Sequence, residues 1–403
     1  MRSGLRSNIL GRPPCSPVIR PYPAFFAGFA GRRAAAALAC ALFTGRLAAQ
    51  TAITSVTTLM TNGTATQETA NGETVTFEND QEALINFTAG GTTYYAVGAA
   101  QTAIIDRDTT HDTTAPNQTS DWYAYTGSST SPTYQGVYQT NANTMLLGNN
   151  LLQGADNVFV NNDGSLADED DIERLDFIEK ESGYAATTGQ AFAVFDRGND
   201  TVHDSFKIAV ITAVDSNGNP TAYGGDLITV TAANYDTSSN PVANQNYGIF
   251  RYDVGDNLTA WDNNVTGGSI DATRDQNTQG TGGVVLTLAA LGITSGTTIY
   301  GYSIMGADVY STSTATVVIN SAVSSDLVNY LNTTYYPNDT SDNNTTGDDN
   351  YGGIDLMDVN GVEFSTTKVT PEPATYGLVF AGLGLLAFGL SRRRAAGLTS
   401  PAA

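Results

Sequence analysis

Residues 207–231 contain Lys207-Ile-Ala-Val-Ile-Thr-Ala-Val214, then Asp215-Ser-Asn-Gly-Asn-Pro220, then a second run, Leu227-Ile-Thr-Val-Thr231. Both runs are rich in β-branched residues, which suit a pleated, packed strand. The Asn-Gly and Asn-Pro pairs between them favour a turn. The segment predicts two strands joined as a hairpin or meander. Similar short runs occur at Thr74–Phe77, Ala191–Phe195, Val284–Leu288 and Ala315–Ile319. Turn pairs stand between runs at Asn62-Gly63, Asn71-Gly72, Asp163-Gly164 and Asn360-Gly361. Asp168–Lys180 is the best helical candidate, and reads equally as a charged loop entering a strand at Leu175–Ile178. With strands and no alternating helices, the expected fold is an antiparallel β-sandwich or jelly roll. A right-handed β-helix is the alternative.

The predicted β-rich region covers residues 50–366. A polar break at Asp236–Asn246 is a candidate boundary between two lobes, and Asn338–Asn350 reads as a polar loop before a last strand, Ile354–Phe364. Residues 1–49 hold seven arginines and no acid, with the apolar run Ala34–Phe43 and small residues at Leu47-Ala48-Ala49. That order is expected of a secretory signal peptide.

Charge and composition exclude several chemistries. The whole chain carries a formal charge of −22. The leader holds seven of the 18 basic residues and the tail three, so the exported region keeps eight against all 40 acids, a net charge near −32. Such a surface repels nucleic acid and anionic lipid, so neither is an expected partner of the exported region. Both cysteines, Cys15 and Cys40, fall in the leader. The exported region therefore has no disulfide and no thiol nucleophile. Its two histidines, His111 and His203, are too few for a His-rich zinc site, and both read as surface residues.

The tail is the most specific motif. Thr370 is followed by Pro371, Glu372 and Pro373, then an uncharged apolar stretch, then Arg392, Arg393 and Arg394. The prolines keep the stem extended. Ala374–Ser391 predicts a helix of about 27 Å, close to the roughly 30 Å core of a bilayer. The arginines hold the helix end on the cytoplasmic side, leaving the rest of the chain outside. This order of parts resembles the PEP-CTERM sorting signal of Gram-negative bacteria. The resemblance implies cleavage near Pro371–Pro373 by an exosortase, a membrane cysteine transpeptidase-like protein, in hosts that make extracellular polysaccharide. The nine residues after the arginines are longer than the family's usual stub. Several body segments, among them Asn157-Val-Phe-Val-Asn-Asn162 and Phe206-Lys-Ile-Ala-Val-Ile211, resemble other exosortase-associated surface proteins of verrucomicrobial type. That resemblance brings no catalytic motif.

Three further chemistries have candidates. The acidic turn with Asn161, Asp163, Asp168 and Asp170 offers oxygen ligands for Ca2+, the one candidate cofactor. It is not an EF-hand, because position 1 of the loop falls on Phe159. The run Trp122, Tyr123 and Tyr125 could stack on sugar rings if exposed, and would otherwise pack in the core. Carboxyl pairs such as Glu179/Glu181 or Asp168/Glu169 match glycosidase chemistry only by spacing, which 40 acids satisfy anywhere. The expected function is a non-enzymatic exported surface or matrix protein. It is anchored transiently in the inner membrane, processed by an exosortase and associated with exopolysaccharide. The alternatives are a lectin-like, Ca2+-dependent carbohydrate-binding module and a polysaccharide-degrading enzyme.

Overall fold

A computed structural model describes residues 50–368, except 71–72, 109–118, 129–130, 140, 157, 160–171, 199–202, 236–240, 253–257, 262–278, 312 and 338–352. The predicted signal peptide and the predicted helix 374–391 lie outside the described residues, as does the polar loop at 338–350. Among the described residues no helix is long and apolar enough to cross a membrane.

The chain is mainly β. The first eight strands are β1 (Gln50–Thr61), β2 (Thr66–Ala70), β3 (Glu73–Phe77), β4 (Gln81–Ala89), β5 (Thr92–Ala99), β6 (Thr102–Arg107), β7 (Thr119–Ser128) and β8 (Ser131–Tyr134). The middle of the chain gives β9 (Asn150–Asp156), β10 (Ile172–Ile178), β11 (Tyr184–Ala185), β12 (Gln190–Gly198), β13 (Phe206–Val214), β14 (Pro220–Val230) and β15 (Val242–Tyr252). The last strands are β16 (Leu258–Trp261), β17 (Gln279–Thr287), β18 (Thr298–Ile299), β19 (Gly301–Gly306), β20 (Val317–Val318), β21 (Leu356–Asp358) and β22 (Val362–Ser365).

The hairpin predicted at 207–231 is β13 and β14. Its turn is held by Asp215, whose Oδ1 accepts the backbone N–H of Asn217 at 2.8 Å and of Asn219 at 2.9 Å. Gly218 takes the left-handed φ of 89° that this turn requires. The predicted runs at 74–77, 191–195, 284–288 and 315–319 fall on β3, β12, β17 and β20.

Strand pairing closes the large sheet on itself. β17, β1, β4, β5, β22 and β12 pair in that order, and β12 pairs back onto β17. A second circuit runs β12, β21, β9, β7, β15 and again β17. The two circuits share the β12–β17 pair. A smaller sheet has the order β20-β14-β13-β19-β10-β6. The pairings among the described strands are antiparallel except β3 with β8. The parallel coils of a right-handed β-helix are thus not what the described strands adopt.

Both faces of β12 and β17 are buried, which explains their near-continuous apolar runs. Phe192, Val194, Val284 and Leu286 face the small sheet and share a core with Phe177, Ile208, Val210 and Ile304. Ala191, Ala193 and Phe195 face the opposite way, towards Ile53, Phe87, Trp122 and Phe364. The far side of the small sheet is covered by the helix Ser321–Val328 and by Tyr336.

Two expectations change, and a third segment, the polar break, falls partly on a strand. Within Asp168–Lys180 the described part forms no helix but β10, whose two faces are both buried. Ile354–Phe364 is not one strand: the turn at Asn360-Gly361 splits it into β21 and β22. The polar break at Asp236–Asn246 overlaps β15, which pairs with β7 before it and β17 after it.

Candidate functional site

The C-terminal stem leaves the body from a fixed point. Ser365, at the end of β22, lies between Gln190 of β12 and Tyr95 of β5. The Thr366 N–H donates to the Gly189 carbonyl at 3.0 Å, and the Thr367 N–H to Ser365 Oγ at 3.1 Å. Residues 366–368 are exposed, and the Lys368 ammonium lies 5.9 Å from the centre of the Tyr95 ring. Pro371, Glu372, Pro373, Arg392, Arg393 and Arg394 follow outside the described residues.

Asn161, Asp163, Asp168 and Asp170 also lie outside the described residues. Among the described residues no group of three or more His, Asp or Glu could hold a metal ion. At the base of that loop, Asp156 is engaged by Arg197 at 2.5 Å.

The aromatic run is corrected. Trp122, Tyr123 and Tyr125 are buried, at 1, 1 and 6% exposure, so no ring face is open to a sugar. Strand alternation alone does not place them. They are buried because β7 is an interior strand, paired with β9, β8 and β15. Trp122 lies 4.8 Å from the Arg197 guanidinium, and Tyr123 packs edge-on against Phe77 at 5.0 Å.

Arg197 organises a buried cluster. It pairs with Asp156 at 2.5 Å and Asp355 at 2.9 Å, and its guanidinium lies 3.3 Å from the Tyr247 ring centre. Burial opposes its charge, but Asp355, Tyr247 and Asp156 outweigh that and raise its pKa above the usual value. Next to it on β12, Asp196 accepts the Asp355 N–H at 2.9 Å through Oδ1 and lies 3.1 Å from His203 Nδ1 through Oδ2. His203 was expected at the surface and is buried, stacked on Tyr235 at 4.5 Å. Gly282 makes the room: a Cβ there would lie 2.4 Å from His203 Nε2. His111 lies outside the described residues.

A second cluster sits on the far side of the small sheet. Arg174 pairs with Asp106 at 2.7 Å and Asp176 at 2.9 Å and donates to the Leu327 carbonyl at 2.6 Å. Tyr223 and Ser303 join through hydroxyls 2.9 Å apart. Burial and the charge of Asp176 push Asp106 up to about 8, against the pull of Arg174. Sequence reasoning missed both clusters. Their one visible sign is an arginine with an acid close by inside a strand, Arg174 with Asp176 in β10 and Arg197 with Asp196 in β12.

The Glu179/Glu181 pair does not form as spaced in sequence. Glu181 is exposed, whereas Glu179 is buried and accepts a hydrogen bond from the Tyr184 hydroxyl. Burial, then the charge of Glu363, pushes Glu179 well above the carboxylate range. Glu363 accepts from Gln190 Nε2. Asp168 and Glu169 are outside the described residues.

A family model described as the PEP-CTERM protein-sorting motif matches residues 369–394. No curated protein and no solved structure matches the chain. The β-rich body is thus followed by a PEP-CTERM sorting motif that begins one residue beyond Lys368, and this motif supports an exported surface protein sorted by an exosortase.

Proposed function

We propose that this chain is a non-enzymatic surface or matrix protein that works as a spacer or coat within an exopolysaccharide layer. A signal peptide exports it, helix 374–391 holds it transiently in the inner membrane, and an exosortase cuts near Pro371–Pro373. The sorting motif at 369–394 carries this reading. The body supports it in two ways. Its sheet closes on itself, which limits open strand edges in a crowded layer. Its buried arginines, Arg174 and Arg197, are each paired with two carboxylates in the interior. The resemblance of body segments to verrucomicrobial exosortase-associated proteins points the same way.

A second reading, the lectin-like module, has one structural feature in its favour. A cleft of about 460 Å³ between β14 and the helix Ser321–Val328 is lined by Thr221, Asn320, Ser321, Ser324 and Ser325, groups that can hydrogen-bond sugar hydroxyls. Titration with the host's own polysaccharide tests it: saturable binding lost in Ser325→Trp favours the lectin, and no binding favours the coat. For the main reading, Pro371→Ala, Glu372→Ala and Pro373→Ala are combined in one variant. It is expected to accumulate in the inner membrane at full length. Unchanged delivery to the surface would count against the reading.

A further inference from the structure

The exported region is strongly acidic, yet three neighbouring strands of its described part carry almost no charge. β1, β4 and β5 contain a single charged residue, Glu82. The same three strands expose large apolar side chains: Leu59 at 57%, Ile85 at 39% and Val97 at 40%. Ile85 is the extra residue at a register shift, since Thr57 pairs with Asn86 and Thr58 with Leu84. A bulged residue drops out of the ladder, and this one points outward. Asn86 pairs with Tyr95, and Val97, two residues along β5, is the extra residue at a second register shift, since Glu363 pairs with Gly98 and Phe364 with Ala96, and it is exposed.

The stem leaves across this face, with Lys368 over the Tyr95 ring. Six peptide links separate Lys368 from Ala374, where the apolar stretch begins. Fully extended, they span about 20 Å at most. The headgroup layer adds only about 5–8 Å on each side of the hydrocarbon core. An intact tag therefore holds Tyr95 and its neighbours close to the lipid surface. An acidic body is repelled by anionic leaflets, so the orientation of least repulsion turns its uncharged side inward. Tyr is also favoured at the membrane interface.

We infer that the outer side of β1, β4 and β5, centred on Ile85, Tyr95 and Val97, rests on the headgroup layer while the tag is uncut and leaves it on cleavage. This rests on the reading of the tag as a membrane anchor. The cysteine-free exported region makes the test direct. The full chain is prepared from the host without its exosortase, as Val97→Cys, Leu59→Cys or Ser216→Cys. Ser216 is exposed in the β13–β14 turn. Each variant is labelled with a polarity-sensitive fluorophore and reconstituted in phosphatidylethanolamine–phosphatidylglycerol vesicles carrying a headgroup spin label. Quenching at positions 97 and 59 several-fold above that at 216, unchanged on tenfold dilution of protein into lipid, is the expected result. Equal quenching at the three positions overturns the inference. Shielding at 97 that disappears on dilution also overturns it and marks the face as a contact between copies. Failure of the chain to float with the vesicles would instead refute the anchor reading itself.

Discussion

Arg197 shows how single residues are used in this body. Its charge is buried and compensated by Asp156, Asp355 and the Tyr247 ring. Removing one member of such a group leaves the partners charged and unpaired in the interior, which typically costs about 3–5 kcal/mol. Arg197→Ala is therefore expected to lower the unfolding free energy by about that amount in urea titration. A loss below about 1 kcal/mol would show that water reaches the cluster. Trp122 lies against the same guanidinium and is 1% exposed. Trp122→Ala opens a cavity and is expected to cost about 3–5 kcal/mol while leaving polysaccharide binding unchanged. A lost binding signal in a variant that still melts cooperatively would restore the carbohydrate role of this ring. Neither residue's role is legible in sequence, because Asp156, Asp355 and Tyr247 reach Arg197 from distant parts of the chain.

At the scale of elements, the small sheet stores pH dependence. Asp106 of β6 is pushed up to about 8, and Asp308, after β19, to about 6, both chiefly by burial. A carboxyl whose folded pKa exceeds its unfolded value binds its proton more tightly when folded. It adds stability at low pH and loses it as pH rises from about 4 to the folded value. Lys207 on β13, lowered to about 8 by burial, works in the opposite sense and higher in the range: it costs stability below about 8 and recovers it towards 10.5. All three therefore disfavour the fold near pH 8. The melting temperature is expected to be higher at pH 5 than at pH 8, and Asp106→Asn is expected to flatten that difference. A melting temperature that rises steadily from pH 5 to 8 would contradict the assignment. The strands themselves were legible where β-branched runs met strong turn pairs, as in β13 and β14. The pairing of β22 with β5 and β12 was not, because register between segments hundreds of residues apart leaves no local signal. β10 was ambiguous because its acids and arginine look like a helix surface until their partners are in place.

For the whole molecule, the two ends of the described chain meet one hairpin. A Cβ at Gly90, in the β4–β5 turn, would lie 3.1 Å from Thr51 at the start of β1, and Lys368 sits over Tyr95 of the same hairpin. The start of the body and its stem thus leave together, beside the uncharged side, as suits a domain delivered from a membrane by its C-terminus. The tag was readable from sequence because every part of it is contiguous. The purpose of the body was not, because no contiguous motif marks it and its buried charged clusters are assembled from distant strands. The most direct test of the account is the mass of the native protein recovered from its host, with its mature C-terminus sequenced by mass spectrometry. A chain ending near Pro371–Pro373 in the envelope or matrix fraction is the predicted result. A chain in that same fraction still carrying Arg392–Ala403 would contradict it.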